Sequence, residues 1–186
     1  MTFGFRPTGD GGVTVELDSD EVAVLRSMAN LVLELVEPPA PKDEFAELVG
    51  IGSSDQKSDD PVLARLFPDA YGDDSEAASD FRRYTEDDLR QGKRANAETI
   101  LGALPEANGG RVTLGSRDAH AWMKALNDVR LALGTRLGVT EENYDALARG
   151  DDSGSAALHL YDWLGGLQES LVQALFQTGA PEQGSE

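Results

Sequence analysis

The chain has 186 residues, among which 34 Asp and Glu outnumber 16 Lys and Arg, so its formal net charge is −18, and it has no Cys. This length suits one domain around a single core, and the lack of Cys excludes disulfides, thiolate metal sites and Cys nucleophiles. The acidity argues against general binding of nucleic acids, because that binding depends on Lys and Arg neutralising phosphates.

The first elements that the sequence predicts are a β-hairpin and a long helix. Two short extended runs, 4–7 and 13–17, flank a loop rich in glycine, which is typical of a tight turn. Asp18, followed three residues later by Glu21, has the pattern of a capping box and predicts a helix that ends near 37–39. Its apolar stripe covers about 200° of the wheel at about 100° per residue, which indicates burial on more than one side.

A loop and a short helix are predicted next. The loop has one helical possibility near 43–48 and a segment near 50–60 with too few apolar residues to pack, so we expect that segment to be mobile. Asp60 and Pro61 are a suitable N-cap and first residue for a helix. Pro68 is expected to end this short helix.

Two further helices are predicted between residues 75 and 104. The first is expected over 75–84, and Thr85 then starts a second helix as its N-cap, with acidic residues in the first turn. Gly92 lies in the middle of the second helix, where it costs about 1 kcal/mol relative to Ala. Polar residues also interrupt the apolar stripe of this helix, and such departures are expected at functional or strained places.

The remainder of the chain is predicted to form a strand and three helices. The strand covers 111–114, and a helix with a regular apolar stripe follows it over 118–137. A short helix begins near residue 140. The last helix covers 155–177 and is apolar over more than about 200° of its wheel. The tail at 179–186 is expected to be disordered.

Together these elements predict a fold of the α+β class that is mostly α. We expect a domain that resembles a helical bundle, with a small antiparallel β-sheet formed by the N-terminal hairpin and one short strand. The prediction is a single globular domain over 1–178, with the mobile loop near 50–60 and the disordered tail beyond it.

The charge is unevenly distributed along the chain. Residues 81–137 contain ten basic and seven acidic residues, a net charge of +3, whereas the remaining parts are strongly acidic. Two interpretations follow. The basic residues either pair with acids elsewhere in the chain or form one surface that binds an anion or a partner.

The candidate binding residues combine cations with aromatic and amide side chains. The planar guanidinium group of arginine matches carboxylate and phosphate, and a neighbouring aromatic ring can stack on it. Arg90 and Arg94 are four residues apart and lie on one helix face. The predicted binding residues are Arg82, Arg83, Tyr84, Arg90, Lys93, Arg94, Asn96 and Arg130. The alternative is a structural network in which these cations pair with the surplus acids.

The sequence has no recognisable catalytic or cofactor motif. It lacks a nucleophile elbow, a phosphate-binding loop and a dinucleotide-binding glycine pattern. Its two histidines, His120 and His159, do not form a metal-binding pair. We therefore expect no catalytic residue, no metal and no cofactor. No apolar run approaches the ~20 residues of a membrane span, and residues 1–6 do not begin a signal peptide, so we expect a cytoplasmic protein without membrane contact.

Five segments of the chain together resemble an actinobacterial family, the domain of unknown function DUF2017. They are 66–71 (LFPDAY), 81–90 (FRRYTEDDLR), 93–97 (KRANA), 126–137 (LNDVRLALGTRL) and 161–164 (YDWL). The resemblance covers nearly the whole chain apart from the loop near 50–60 and the tail. It implies an actinobacterial cytoplasmic protein linked to proteolysis, since genes of that family often lie beside the ClpS adaptor of the Clp protease and near a Mov34-type metallopeptidase. Some members are labelled transcriptional regulators, and the resemblance carries over no catalytic residues.

Three functional hypotheses follow from these patterns and from the resemblance. The leading hypothesis is an interaction or regulatory protein without catalysis, linked to Clp-type proteolysis, that binds a protein partner and whose wide apolar helix faces suit a homodimer. A second hypothesis is a small-anion-binding protein or enzyme that uses the cluster of Arg82, Arg83, Tyr84, Arg94 and Asn96. A third is a transcriptional regulator that contacts DNA, which the net charge of −18 opposes.

Overall fold

The computed structural model describes most of the chain. The described residues are 4–38, 59–70, 74–106, 108–140, 142–149 and 152–179. Within them the strands are β1 (Arg6–Pro7), β2 (Val13–Leu17) and β3 (Gly110–Leu114), and the helices are α1 (Ser19–Leu35), α2 (Pro61–Leu66), α3 (Ser75–Ala103), α4 (Ser116–Leu137), α5 (Tyr144–Ala148) and α6 (Asp152–Gly179). The predicted helix near 43–48, nearly all of the predicted mobile segment near 50–60 and the tail from residue 180 lie outside the described residues.

The three strands form one antiparallel sheet in the order β1–β2–β3. Arg6 pairs with Thr14 in the hairpin, and Val15 pairs with Val112 across β2 and β3. Alternate residues of β2 are buried, so one face of the sheet lies on the core. The predicted sheet of an N-terminal hairpin plus one short strand is therefore confirmed, and so is the mostly helical α+β class.

The capping box predicted at the start of α1 is present. One oxygen of the Asp18 carboxylate accepts hydrogen bonds from the backbone N–H groups of Asp20 and Glu21, both at 2.9 Å, and the Glu21 carboxylate accepts one from the backbone N–H of Asp18, also at 2.9 Å. These bonds satisfy donors that the start of a helix otherwise leaves without partners. The inner stripe of α1, from Val22 to Val32, is buried in the core, and so is Val36 directly after the helix.

Helix α3 corrects the prediction of two helices. It is continuous over Ser75–Ala103 with Asp74 as its N-cap, so the predicted break before Thr85 is wrong. The Thr85 hydroxyl donates to the carbonyl oxygen of Phe81 at 2.7 Å, which means that Thr85 is bonded inside the helix and does not cap a new one. No Gly or Pro precedes Gly92 in this helix, so nothing in its first half forces the backbone to stop.

Helix α4 is central to the described structure, because α1, α2, α3 and α6 all pack against it. Trp122 of α4 is completely buried, and the ring of Phe5 meets it edge to face with 5.8 Å between the ring centroids. The helix is followed by Gly138, whose φ of 62° is left-handed and favours glycine. Among the described residues, no helix is long and apolar enough to cross a membrane.

Candidate functional site

A row of ionic side chains lies along the buried side of the first half of α3. Nε and Nη2 of Arg90 both donate to Oε1 of Glu86, at 3.1 and 2.6 Å, and both residues are buried. Arg82 lies one turn before Glu86, with 3.9 Å between its Nε and Oε2, and it also forms an ion pair with Asp69. Because residues four apart are neighbours on a helix, α3 itself aligns this row.

Aromatic and backbone groups complete the network around Arg90. Its guanidinium carbon lies 4.6 Å from the ring centroid of Phe67, and Nζ of Lys93 lies 5.8 Å from the same centroid. Arg90 also donates to the carbonyl oxygen of Glu37 at 3.5 Å. The network holds the residues that follow α1 and α2 against α3. This pairing favours a structural role for Arg90, and a ligand site at these cations stays a prediction.

Three other predicted binding residues lie on solvent-exposed parts of α3. Arg83 forms an ion pair with Asp80 at 3.5 Å, and Arg94 forms one with Glu98 at 2.9 Å. Tyr84 is 75% exposed. Exposed ion pairs of this kind contribute little to stability, because solvent screens them. The structure therefore separates these side chains from the buried row on the same helix.

A groove with a polar wall lies between α3, α4 and α6, and its volume is about 510 Å³. Nζ of Lys93 on α3 donates to Oδ1 of Asp128 on α4 at 2.6 Å, and Asp128 is buried. The side chains that line this groove include those of Asp88, Leu89, Lys93, Asn96, Met123 and Gln168. Of the predicted binding residues, the structure brings Lys93 and Asn96 together here.

The Asp128 carboxyl group differs from an ordinary surface carboxyl. Burial raises its pKa above the ordinary value of 3.8, because a desolvated carboxylate is disfavoured, while the hydrogen bond and the positive charge of Lys93 oppose that rise. The two side chains come from different helices, so the ion pair ties α3 to α4 at the wall of the groove.

Arg130 lies behind the groove and orients one of its walls. Its Nη1 donates to Oε1 of Gln168 at 2.8 Å, and Nε2 of Gln168 donates to the carbonyl oxygen of Met123 at 3.2 Å. The guanidinium carbon lies 5.2 Å from the ring centroid of Tyr161, and Nε of Arg130 is buried without a hydrogen-bond partner in the described part of the chain. Arg130 therefore fixes an amide of the groove and does not join the cations of α3.

Among the groove residues that sequence analysis missed are Asp128 and Gln168, which form its polar contacts. A signal for the first existed, because Asp128 occupies a position in the buried stripe of α4 between Ala125 and Ala132, where an apolar residue is normal. An acid at such a position indicates a buried charge that needs a partner. Gln168 had no comparable signal, since glutamine is common at the edge of a helix stripe.

Three large apolar side chains are exposed in the first half of α3, and two of them, Phe81 and Leu89, line one shallow pocket. Phe81, Tyr84 and Leu89 are 41%, 75% and 46% exposed. Exposed acids lie among them, namely Asp80, Asp87 and Asp88. We refer to these six residues as the α3 patch. Leu89 and Asp88 also line the groove, so the patch and the groove are continuous.

A second groove lies along α4 and α6 and has a volume of about 740 Å³. It shares Met123 and Val172 with the first groove, and it extends past His120 to Phe176, which is 77% exposed. In the part of the chain that the structure describes, no group of three or more His, Asp and Glu side chains is arranged to hold a metal ion.

The sequence shows to which family the chain belongs. The family model described as "Domain of unknown function (DUF2017)" matches residues 2–175, so the chain belongs to this family, as the resemblance of its five segments predicted.

Curated relatives of the chain come from mycobacteria. The "Oxidative stress regulator AosR" of Mycobacterium tuberculosis and the protein of the same name from Mycobacterium bovis are each 36% identical to the chain over 172 residues, which are 83% of this chain and 78% of theirs. A relative from Mycobacterium leprae is 35% identical over 175 residues, or 85% of this chain and 80% of its own. No solved structure matches the chain significantly.

Proposed function

We propose that the chain is a regulatory protein of the oxidative stress response and that it acts by binding a protein partner, without catalysis. The observation that carries this proposal is the similarity to relatives named oxidative stress regulators, which extends over 83% of the chain. The family match over residues 2–175 includes the segment of α3 that bears the patch and the segment of α4 that lines the groove.

The α3 patch supports binding to a protein. Large exposed apolar side chains are typical of interaction sites, and tyrosine is enriched among residues that dominate binding energy. Tyr84 and Leu89 provide the apolar contacts, while Asp80, Asp87 and Asp88 provide negative charge around them. Because the whole chain also carries −18, the partner that fits best is a basic protein surface with an apolar anchor.

The alternative of a small-anion site is less well supported by the geometry. Arg82, Arg90, Lys93 and Arg94 already contact carboxylates of the chain itself, so an incoming anion would have to displace those partners. Direct binding of DNA by a transcriptional regulator is opposed by the net charge. The link to Clp-type proteolysis and the cytoplasmic location stay predictions.

A variant of the patch tests the proposal. Tyr84→Ser combined with Leu89→Ser removes two exposed apolar contacts and should leave the core intact. Phe176→Ser is the control, because Phe176 is as exposed as Tyr84 but lies outside the patch. The partner should be captured from the host cell by the wild type and the control. It should bind the double variant at least about tenfold more weakly, since losing one dominant side chain costs about 2 kcal/mol or more.

The wild type, the double variant and Phe176→Ser should also be expressed in a host strain from which the gene for this protein is deleted. The wild type and Phe176→Ser should restore survival in peroxide, and the double variant should not. Unchanged survival of the deletion strain would contradict the regulatory role. Full complementation by the double variant would show that the α3 patch is not the binding surface.

A further inference from the structure

The side chain of Met123 lies where the two grooves meet. It is half-buried on α4, it packs against the core, and it is the only methionine that lines either groove in the described part of the chain. Its backbone is held by the hydrogen bond from Gln168. Leu89 of the α3 patch lines the same groove, so a change at Met123 affects a surface that is continuous with the patch.

Methionines are the sulfur-containing residues of this chain that can react with an oxidant. The chain has no Cys, and its sulfur atoms belong to three methionines, Met1, Met28 and Met123. A protein of this composition cannot respond to peroxide through a disulfide or a sulfenic acid. Methionine, however, is oxidised to a sulfoxide, which cellular reductases reverse.

We propose that Met123 is a reversible oxidation site and that its sulfoxide changes the groove beside the α3 patch. In the reaction a lone pair of the thioether sulfur attacks one oxygen of hydrogen peroxide. The S–O bond forms as the O–O bond breaks and hydroxide departs. The hydroxide then takes the proton from the oxygen that is bound to sulfur and becomes water. Sulfur loses two electrons and the peroxide gains them. The expected role as a switch rests on the proposed function, whereas the reactivity itself does not.

The groove suits both the oxidant and the product. A space of about 510 Å³ that admits molecules of the size of water also admits peroxide. A sulfoxide oxygen accepts hydrogen bonds, and Lys93, Asn96 and Asn127 supply donors in the same groove. Oxidation also turns an apolar part of the groove wall between Leu89 and Val172 into a polar one, which weakens apolar contacts there.

Met28 provides the matched control within the same chain. It is half-buried on α1 and packs against the core as Met123 does, but it lines neither groove. The purified full chain should be treated with hydrogen peroxide, and each methionine followed by peptide mapping with mass spectrometry. We expect Met123 to be oxidised several-fold faster than Met28. Met123 that stays reduced while Met28 is oxidised would overturn the proposal.

Leucine variants separate the effect of the site from general damage. Met123→Leu and Met28→Leu conserve side-chain volume and should fold. Peroxide should lower the melting temperature of the wild type and of Met28→Leu by a few degrees and leave that of Met123→Leu unchanged. Treatment of the oxidised proteins with methionine sulfoxide reductase should restore the original melting temperature. A shift that persists in Met123→Leu would place the reactive group elsewhere.

Complementation of the deletion strain separates this inference from the proposed function. If the wild type restores survival in peroxide and Met123→Leu does so equally well, the switch is wrong while the regulatory role stands. If the deletion strain survives peroxide as well as the parent, the regulatory role fails, and the purified protein alone decides whether Met123 is the reactive residue.

Discussion

The ion pair between Lys93 and Asp128 joins two helices through groups that both lose water on folding. Asp128 is buried, and Lys93 keeps partial access to the groove. Bringing charges out of water is costly, so such a pair holds only while each charge has its partner. The pair therefore affects both the pKa of Asp128 and the stability of the fold.

Replacing Lys93 by methionine should raise the pKa of Asp128 further. The substitution removes the hydrogen bond and the charge that oppose the effect of burial, and it leaves the carboxyl without a partner. The carboxyl resonance of Asp128 followed by NMR over pH measures the change. We also expect a loss of about 3 kcal/mol in the free energy of unfolding at neutral pH, the lower end for buried pairs, because Lys93 is partly exposed. An unchanged pKa would mean that Lys93 does not act on Asp128 in solution.

The raised pKa of Asp128 also predicts how its contribution to stability depends on pH. A group whose pKa is higher in the folded than in the unfolded protein stabilises the fold below the unfolded pKa and loses that contribution as pH rises through the folded pKa. Relative to Asp128→Asn, the wild type should therefore gain stability as pH falls from neutral toward the ordinary carboxyl value of 3.8. Urea unfolding of both proteins across this range measures the difference. A gain in the opposite direction would show that the pKa is lowered.

Helix α3 is the element on which both the patch and the groove depend. Gly92 lies within it at the groove, and a Cβ added there would meet no atom within 4 Å. No neighbouring atom lies so close to Gly92 that the methyl group of an alanine would clash with it. Its effect on the helix is the ordinary one, a greater loss of backbone freedom on folding.

Replacing Gly92 by alanine should stabilise the protein by about 0.5 to 1 kcal/mol. The melting temperature should rise by a few degrees, which calorimetry can measure. Gly134→Ala is the contrasting variant, because its Cβ would lie 3.1 Å from Cε2 of Tyr161, and we expect no gain from it. Destabilisation by Gly92→Ala would indicate that α3 bends or opens at this position in solution.

At the scale of the whole molecule, one core cluster includes residues of the sheet and of α1, α3, α4 and α6. It supports the proposal of a single domain over 1–178. The inner stripes of α1 and α6 are buried within the chain's own core, which leaves Phe176 as the large apolar side chain of α6 that is exposed in the described residues. The homodimer stays a prediction, and sedimentation of the wild type would test it.

The net charge of −18 predicts that salt stabilises the fold. Like charges repel one another in the compact state, and raising the salt from about 0.01 to 0.1 M shortens the Debye length from about 30 to 10 Å. The melting temperature should therefore rise over this range. A fall would show that the chain's own ion pairs, which salt also weakens, outweigh the repulsion.

Local sequence patterns were enough to predict the features that depend on near neighbours along the chain. The glycine-rich turn, the capping box of Asp18 and Glu21 and the start of α2 at Pro61 involve residues a few positions apart, so their local patterns predicted them. The partners of the candidate cations, in contrast, depend on how distant segments pack in the fold. Arg82 pairs with Asp69, 13 positions away, and Lys93 with Asp128, 35 positions away.

The continuity of α3 also depends on contacts between distant segments. Thr85 has the local pattern of an N-cap, yet it lies within one helix, where the buried contacts of Glu86 and Arg90 hold the turn that follows. Helix propensity is a weak preference that packing between distant segments overrides. The charge distribution therefore identified which residues needed partners. The packing of α4 and of the residues after α2 against α3 determined which partners they found.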